Sequence, residues 1–470
     1  MDREELERKR RWVTEGPITR VILALATPII AARLLASTQE SIDTIFLGRV
    51  STEDLAAPAA AAPLIWLFAG IGMGVNSTLS ALVSQAIGAR DYRAAQKWAS
   101  QLLGLTLILA IISALTIAGS AKTIFTLQGF QGETLRIATL YAVIASLGMP
   151  FLLLLFYFNS VMASSGDTKT PFKISALSTI LNIILDPILI FGLLGLPALG
   201  AAGAALATAI SRGIAVAIAL ALLFRGAPGF RLYPAIPRPE LIIKTVRIGG
   251  PVSVQRVVVS LGFLTMMGIV AGLGPAVVAA YNVALTIIHV IQSGTFGFNI
   301  AIATIVGQNL GARLAARAVK AAYSGIMIVF SILTAGALLI VLAREHLVAL
   351  FTSIDEVAFY AERMILIVAA GIPFLGAFFT SLGVARGSGY TLFMSILGIS
   401  RLWLVRIPLA YTLVYHYGMG DMGVWISMTL SNIIAGVVGV MWVASKTWLS
   451  AVPRVSESRD KPLDRVEVPP

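Results

Sequence analysis

The chain has 470 residues, of which 57% are hydrophobic and only 12% charged; a water-soluble domain carries about 25% charged residues, so a soluble globule is excluded. There is no cysteine, which excludes disulfides and thiolate metal centres. The net charge of +12 does not point to nucleic acid, because the basic residues cluster at the edges of apolar runs, where membrane orientation accounts for them.

The opening segment, MDREELERKRRW, alternates acid and base and reads as a retained tail over 1–16, not a cleaved signal. Apolar runs then predict spanning helices at 17–48, 53–83, 94–121, 133–160, 170–194 and 200–224. Residues 225–240 hold Pro228, Pro234, Pro237 and Pro239 and are predicted to be a linker. A second set of spans is predicted at 241–272, 276–306, 316–343, 353–384, 389–415 and 420–445, followed by a tail over 446–470. The runs do not alternate polar with apolar residues, so β-barrel strands are a poor fit. The expected fold is an all-α polytopic membrane protein, with twelve transmembrane helices in two six-helix lobes at 17–224 and 241–445.

Twenty-five Lys and Arg fall on the side of the two termini and five on the other, namely Arg49, Lys122, Arg136, Arg344 and Arg363. That bias predicts a multi-pass cell-membrane protein with both termini in the cytoplasm. The halves also resemble each other at a shift of 223 residues. GARDYRAAQK at 88–97 returns as GARLAARAVK at 311–320, and Gly148-Met-Pro-Phe returns as Gly371-Ile-Pro-Phe. Pro28 maps onto Pro251, Arg33 onto Arg256, Asn76 onto Asn299 and Gln85 onto Gln308. Six spans per half bring both halves into the membrane in the same sense, a parallel repeat about an axis along the membrane normal. Two lobes around a cleft suggest alternating access.

Ionisable side chains at mid-bilayer depth each ask for a partner or a purpose. In the first half these are Arg33, Glu40, Asp43, Asp186 and Arg212; in the second they are Arg256, Arg401 and Arg406. All the deep acids lie in the first half. Asp43 follows Pro28 by fifteen residues on one helix, and a proline can bend its helix. Such a carboxyl can load and release a proton or a sodium ion. Asn182 and Asp186 stand four apart in LNIILDP, on one helix face. Their oxygens suit Na⁺ or a hydrogen-bonded pair, unless Asp186 simply pairs with Arg212. Thr208 adds either a hydroxyl ligand or a small packing contact. Tyr141 and Asn159 flank Pro150 and either line the cleft or anchor helices. Glu40 either shares the face of Asp43 or turns outward. Arg33 and Arg256 read as snorkelling or lobe-stabilising residues.

No Walker, HExxH or GxSxG signature occurs, and Gly70-Ile-Gly72-Met-Gly74 lies inside a span, where it reads as packing. Nothing reads as an enzyme. With Pro28 and Asp43, Gln85…Gly88-Ala89-Arg90 and its repeat Gln308…Gly311-Ala312-Arg313, Ser165-Gly166-Asp167-Thr168-Lys169-Thr170-Pro171 and Asn182…Asp186-Pro187, residues 15–448 resemble a multidrug and toxic compound extrusion (MATE) transporter. The resemblance implies H⁺- or Na⁺-driven antiport of amphipathic, often cationic compounds, with no cofactor beyond the ion. Acids confined to the first lobe are similar to the DinF-type branch. By matching position, Asp43 and Asp186 would be the coupling acids, with Asn182 and Thr208 beside them as possible Na⁺ ligands. Tyr141 and Asn159 would belong to the same cavity and Pro28 would be the bend; Glu40 departs from the family pattern and is a substrate-cavity candidate on its position beside Asp43 alone. A lipid or lipid-linked oligosaccharide flippase of the same superfamily is the nearest alternative, carried by Arg33, Arg256, Arg401 and Arg406. A passive channel is the other. A monomer suffices for the expected mechanism.

Overall fold

The computed structural model describes residues 3–449; the expected C-terminal tail lies outside the described residues from 450 onward. The first half comprises α1 (Arg3–Glu15), α2 (Ile18–Leu47), α3 (Thr52–Gly88), α4 (Tyr92–Leu127), α5 (Gly132–Leu147), α6 (Met149–Ser164), α7 (Lys169–Phe191) and α8 (Ala201–Phe224). The second comprises α9 (Pro239–Ala271), α10 (Pro275–Gln292), α11 (Gly294–Gly311), α12 (Ala315–Ala349), α13 (Asp355–Ala369), α14 (Ile372–Ser388), α15 (Thr391–His416) and α16 (Gly420–Ser445). Among the described residues, ten helical stretches are long and apolar enough to cross a membrane, and counting each of two bent pairs as one span makes twelve. The fold is thus an all-helical membrane bundle.

The bent pairs are repeat images. α5 and α6 meet at 42° and α13 and α14 at 53°, at Gly148-Met-Pro-Phe and Gly371-Ile-Pro-Phe. Pro150 and Pro373 have no N–H to bond the preceding turn, so the ladder breaks there. α2, in contrast, runs unbroken through Pro28. α15 is wound wider, with π-helical turns over Arg401–Arg406 and Thr412–His416 on either side of Pro408.

The first segment is a helix where the sequence reading expected only a tail. Leu6 and Val13, seven apart, are fully buried, and Arg10 Nε donates to the Gly88 carbonyl at 3.0 Å. Glu4 and Glu5 in its first turn suit the positive end of a helix. The stretch from 225 to 238 is likewise held to the first half. Ala235 N–H donates to the Ser100 carbonyl at 3.3 Å, and Arg238 N–H to Gln101 Oε1 at 2.9 Å.

Glycines bring the halves together on the face that carries α1. A Cβ on Gly88 would fall on the Gln308 carbonyl, and a Cβ on Gly311 on that of Gln85. Gln85 Nε2 donates to the Gly387 carbonyl at 3.0 Å, and Gln308 Nε2 to that of Ser164 at 2.7 Å. Deeper in the bundle Gly74 lies against Gly249, and Gly297 against the Ala26 carbonyl. Beyond Arg33, α2 turns to its own half, where Thr179 on α7 donates to Gln39 at 3.3 Å.

Candidate functional site

Three helices build the polar site of the first half. α7 contributes Asn182 and Asp186, both fully buried and one turn apart. Asn182 Nδ2 donates to Asp186 Oδ1 and to Thr208 Oγ1 of α8, each at 3.3 Å. From α2, the Asp43 carboxyl meets that of Asp186. Asp43 Oδ1, Asp186 Oδ2 and Asn182 Oδ1 are buried and accept no hydrogen bond. Two facing carboxylates repel, and together with these bare oxygens they call for a cation between them. The oxygens are hard donors, so the set fits a proton or Na⁺ and not a soft metal. No group of three or more His, Asp or Glu that could hold a metal occurs among the described residues.

Tyr141 on α5 and Arg212 on α8 lie within electrostatic reach of this pair, and Arg212 is close to Asp43, Glu40 and Tyr141. The alternative in which Asp186 pairs directly with Arg212 does not hold. No ion pair joins them, and Arg212 acts electrostatically on Asp43. Glu40 lies at the exposed margin and forms an ion pair with Arg33 at 3.5 Å. Asn159 on α6 makes no hydrogen bond to these residues, although its Oδ1 is buried and without a donor. Arg212 and the Gln39–Thr179 pair are the neighbours that spacing alone did not assign. They come from separate helices, so no i, i+4 pattern connects them.

The second half carries a different constellation. Arg401 Nη1 and Arg406 Nη2 both donate to Asn432 Oδ1, at 2.6 and 2.7 Å, and Arg406 Nε donates to Ser431 Oγ at 2.9 Å. These arginines are only 7% and 3% exposed, and neither forms an ion pair among the described residues. Arg401 Nε is buried without an acceptor, and its guanidinium lies 5.7 Å from the centre of the Phe378 ring. Elsewhere in the second half, Arg386 Nη1 donates to Asn299 Oδ1 at 2.9 Å.

The model of the MatE family matches residues 28–188 and again 251–412, the two halves in turn. The chain is 27% identical to a probable multidrug resistance protein, YoeA, of Bacillus subtilis, over 85% of this chain and 88% of that one. It is 25% identical to a probable multidrug resistance protein, NorM, of Thermotoga maritima, over 92% and 93%. Among solved structures, an outward-facing multidrug resistance MATE transporter of the MOP superfamily superposes with a TM-score of 0.87 at 24% identity, covering 94% of this chain and 98% of that one.

Proposed function

The chain belongs to the MatE family of transporters, and from that premise we propose that it is an H⁺- or Na⁺-coupled antiporter of the DinF-type branch. It exports amphipathic, often cationic drug-like compounds across the cell membrane. The observation that carries this reading is the buried pair Asp43 and Asp186, with Asn182 and Thr208 beside it and three oxygens lacking a donor. A cation entering there satisfies those oxygens and removes the repulsion between the carboxyls. Because one carboxyl is on α2 and the other on α7, the ion draws the two helices together. Pro28 gives α2 a place to bend in response.

The remaining assignments follow from this scheme. The lobes are 17–224 and 241–445, joined by a linker at 225–240, with both termini in the cytoplasm as the charge bias requires. Tyr141, Asn159 and Glu40 border the substrate cavity. Ion uptake from outside shrinks the first-half cavity and expels the compound; the lobes then rock and release the ion inside. The flippase reading stands second. Its arginines would have to face a headgroup, whereas Arg401 and Arg406 are bonded to Asn432 and Arg33 to Glu40.

The test is efflux of a fluorescent cationic dye from transporter-deficient cells under an imposed pH gradient and, separately, a sodium gradient. Wild type is expected to export under one of them, and Asp43→Asn or Asp186→Asn to lose that export. Full gradient-driven export by either variant sinks the scheme.

A further inference from the structure

On the face that carries α1, and far from Asp43 and Asp186 in the chain, four arginines open onto one cavity of about 470 Å³. Arg3 comes from the first turn of α1, Arg93 from the first turn of α4, Arg225 from the end of α8 and Arg231 from the turn that follows. Gln96, Tyr92 and Phe230 complete the walls, and no carboxylate lines them among the described residues. None of the four guanidiniums forms an ion pair among the described residues. Glu7, the acid close to this corner, is bonded to Tyr92 and ion-paired with Arg10 and Arg90 at 3.6 Å each.

The cavity is held open by the chain itself. Gly226 and Gly229 adopt φ of +89° and +92°, a curl that an L side chain rarely takes. A Cβ on Gly229 would fall on the Leu6 side chain, so glycine is what lets α1 lie against the turn. Gln96 Nε2 donates to the Arg231 carbonyl at 2.6 Å and fixes the far wall. Four guanidiniums that line one cavity, with no ion pair among the described residues, present N–H forks suited to phosphate oxygens.

We propose that this cavity is a phosphate site that takes the headgroup of an anionic phospholipid, or the same phosphate chemistry from solution. Its place at the edge of a spanning helix favours the lipid source. α4 starts its span here, and the neighbouring Trp98 has Lys97 Nζ and Lys244 Nζ at 4.8 and 4.5 Å from its ring, as at a membrane–water boundary. An occupant would bridge α1, α4 and the segment between the halves, and so clamp that segment to the first half.

The experiment uses the full-length protein in phosphatidylcholine nanodiscs, titrated with phosphatidylglycerol in one arm and inorganic phosphate in the other, with the thermal midpoint as readout. Phosphatidylglycerol is expected to raise the midpoint of wild type. In Arg225→Gln/Arg231→Gln the apparent affinity is expected to fall about tenfold or more, the loss of at least one charge-assisted hydrogen bond. A rise with inorganic phosphate that the double variant also loses assigns the site to soluble phosphate. No rise in either arm, or a rise that the double variant keeps in full, overturns the proposal. If the double variant unfolds, Arg93→Gln carries the same comparison, because Arg93 is exposed on the first turn of its helix.

Discussion

The two halves share a backbone plan and carry opposite charge at corresponding depth. Gly200 and Gly420, both at φ of +55°, start the last helix of each half, and that register places Asn432 of the second half on Arg212 of the first, and Ser431 on Ser211. In the first half the arginine is on this last helix and the acids are on α2 and α7. In the second half the last helix supplies the amide, and both arginines are on α15. The first-half site therefore has oxygens short of donors, and the second-half site has one guanidinium, that of Arg401, short of an acceptor. A duplicated scaffold thus holds two unlike sites.

The comparison breaks first at Asn432. Removing the one oxygen that both guanidiniums share leaves the buried Arg401 without a hydrogen-bond acceptor and Arg406 with only Ser431 and a long contact to the Met428 carbonyl, which costs about 3 kcal/mol or more. Asn432→Leu is therefore expected to lower the thermal midpoint sharply in detergent. Adding Arg401→Met and Arg406→Met to that variant is expected to recover most of the loss. A triple variant no more stable than the single one would show that the arginines are not strained. The first-half counterpart is milder. Asn182→Leu deletes two hydrogen bonds but leaves no bare guanidinium, so about 1–3 kcal/mol is expected. Its larger effect is expected in transport, as a dye efflux that needs a steeper ion gradient.

A third pair of changes tests where the halves are alike. Gly88→Ala and Gly311→Ala each push a methyl group into a backbone carbonyl across the interface. Each is expected to cost about 1–3 kcal/mol, and by similar amounts. Gly119→Ala, inside α4 with open space around it, is the control without a clash in the same unfolding assay and is expected to stabilise slightly.

The smallest effect concerns Asp167, in the turn between α6 and α7. Burial pushes its carboxyl up, but the Thr170 N–H at 3.0 Å and Lys9 Nζ at 2.9 Å outweigh that and hold it below the ordinary range. A group depressed in the folded state contributes stability above its unfolded value and loses it as pH falls through the folded one. The Lys9–Asp167 contact should therefore hold α1 in place at neutral pH and release it only below about pH 4. Since the chain has no native cysteine, a nitroxide on Arg8→Cys reports α1 alone. Its mobility is expected to rise below that pH, and already at neutral pH with Asp167→Asn. An immobile label in both cases would remove Asp167 from the docking of α1.

The spans, the repeat and the deep charges were legible in the sequence because each is a one-dimensional pattern: hydropathy runs, a constant offset, a charge inside an apolar stretch. Asn182 and Asp186 were legible for the same reason, being one turn apart on a helix. Asn432 was not, because it is 26 residues from Arg406 and on another helix, and nothing in the spacing marks it as their acceptor. Glu40 stayed ambiguous because its partner, Arg33, is two turns away on the same helix and both reach the surface. The docking of α1 was missed because charged residues outnumber its two fully buried ones, Leu6 and Val13. For Arg401 and Arg406 the residue types were evident and the pairing was not.

The reciprocal seats of Gly88 on Gln308 and Gly311 on Gln85 have a mechanical consequence. Main chain rests directly on main chain at each seat, and the Gln85 and Gln308 side chains that cross beside them are held by short-range hydrogen bonds to the opposite half. Dispersion contacts of this kind lose a quarter to a half of their attraction over about 0.5–1 Å. Such a seam has no partly open position worth occupying. It is shut or it is apart, and the two symmetric seats must let go together.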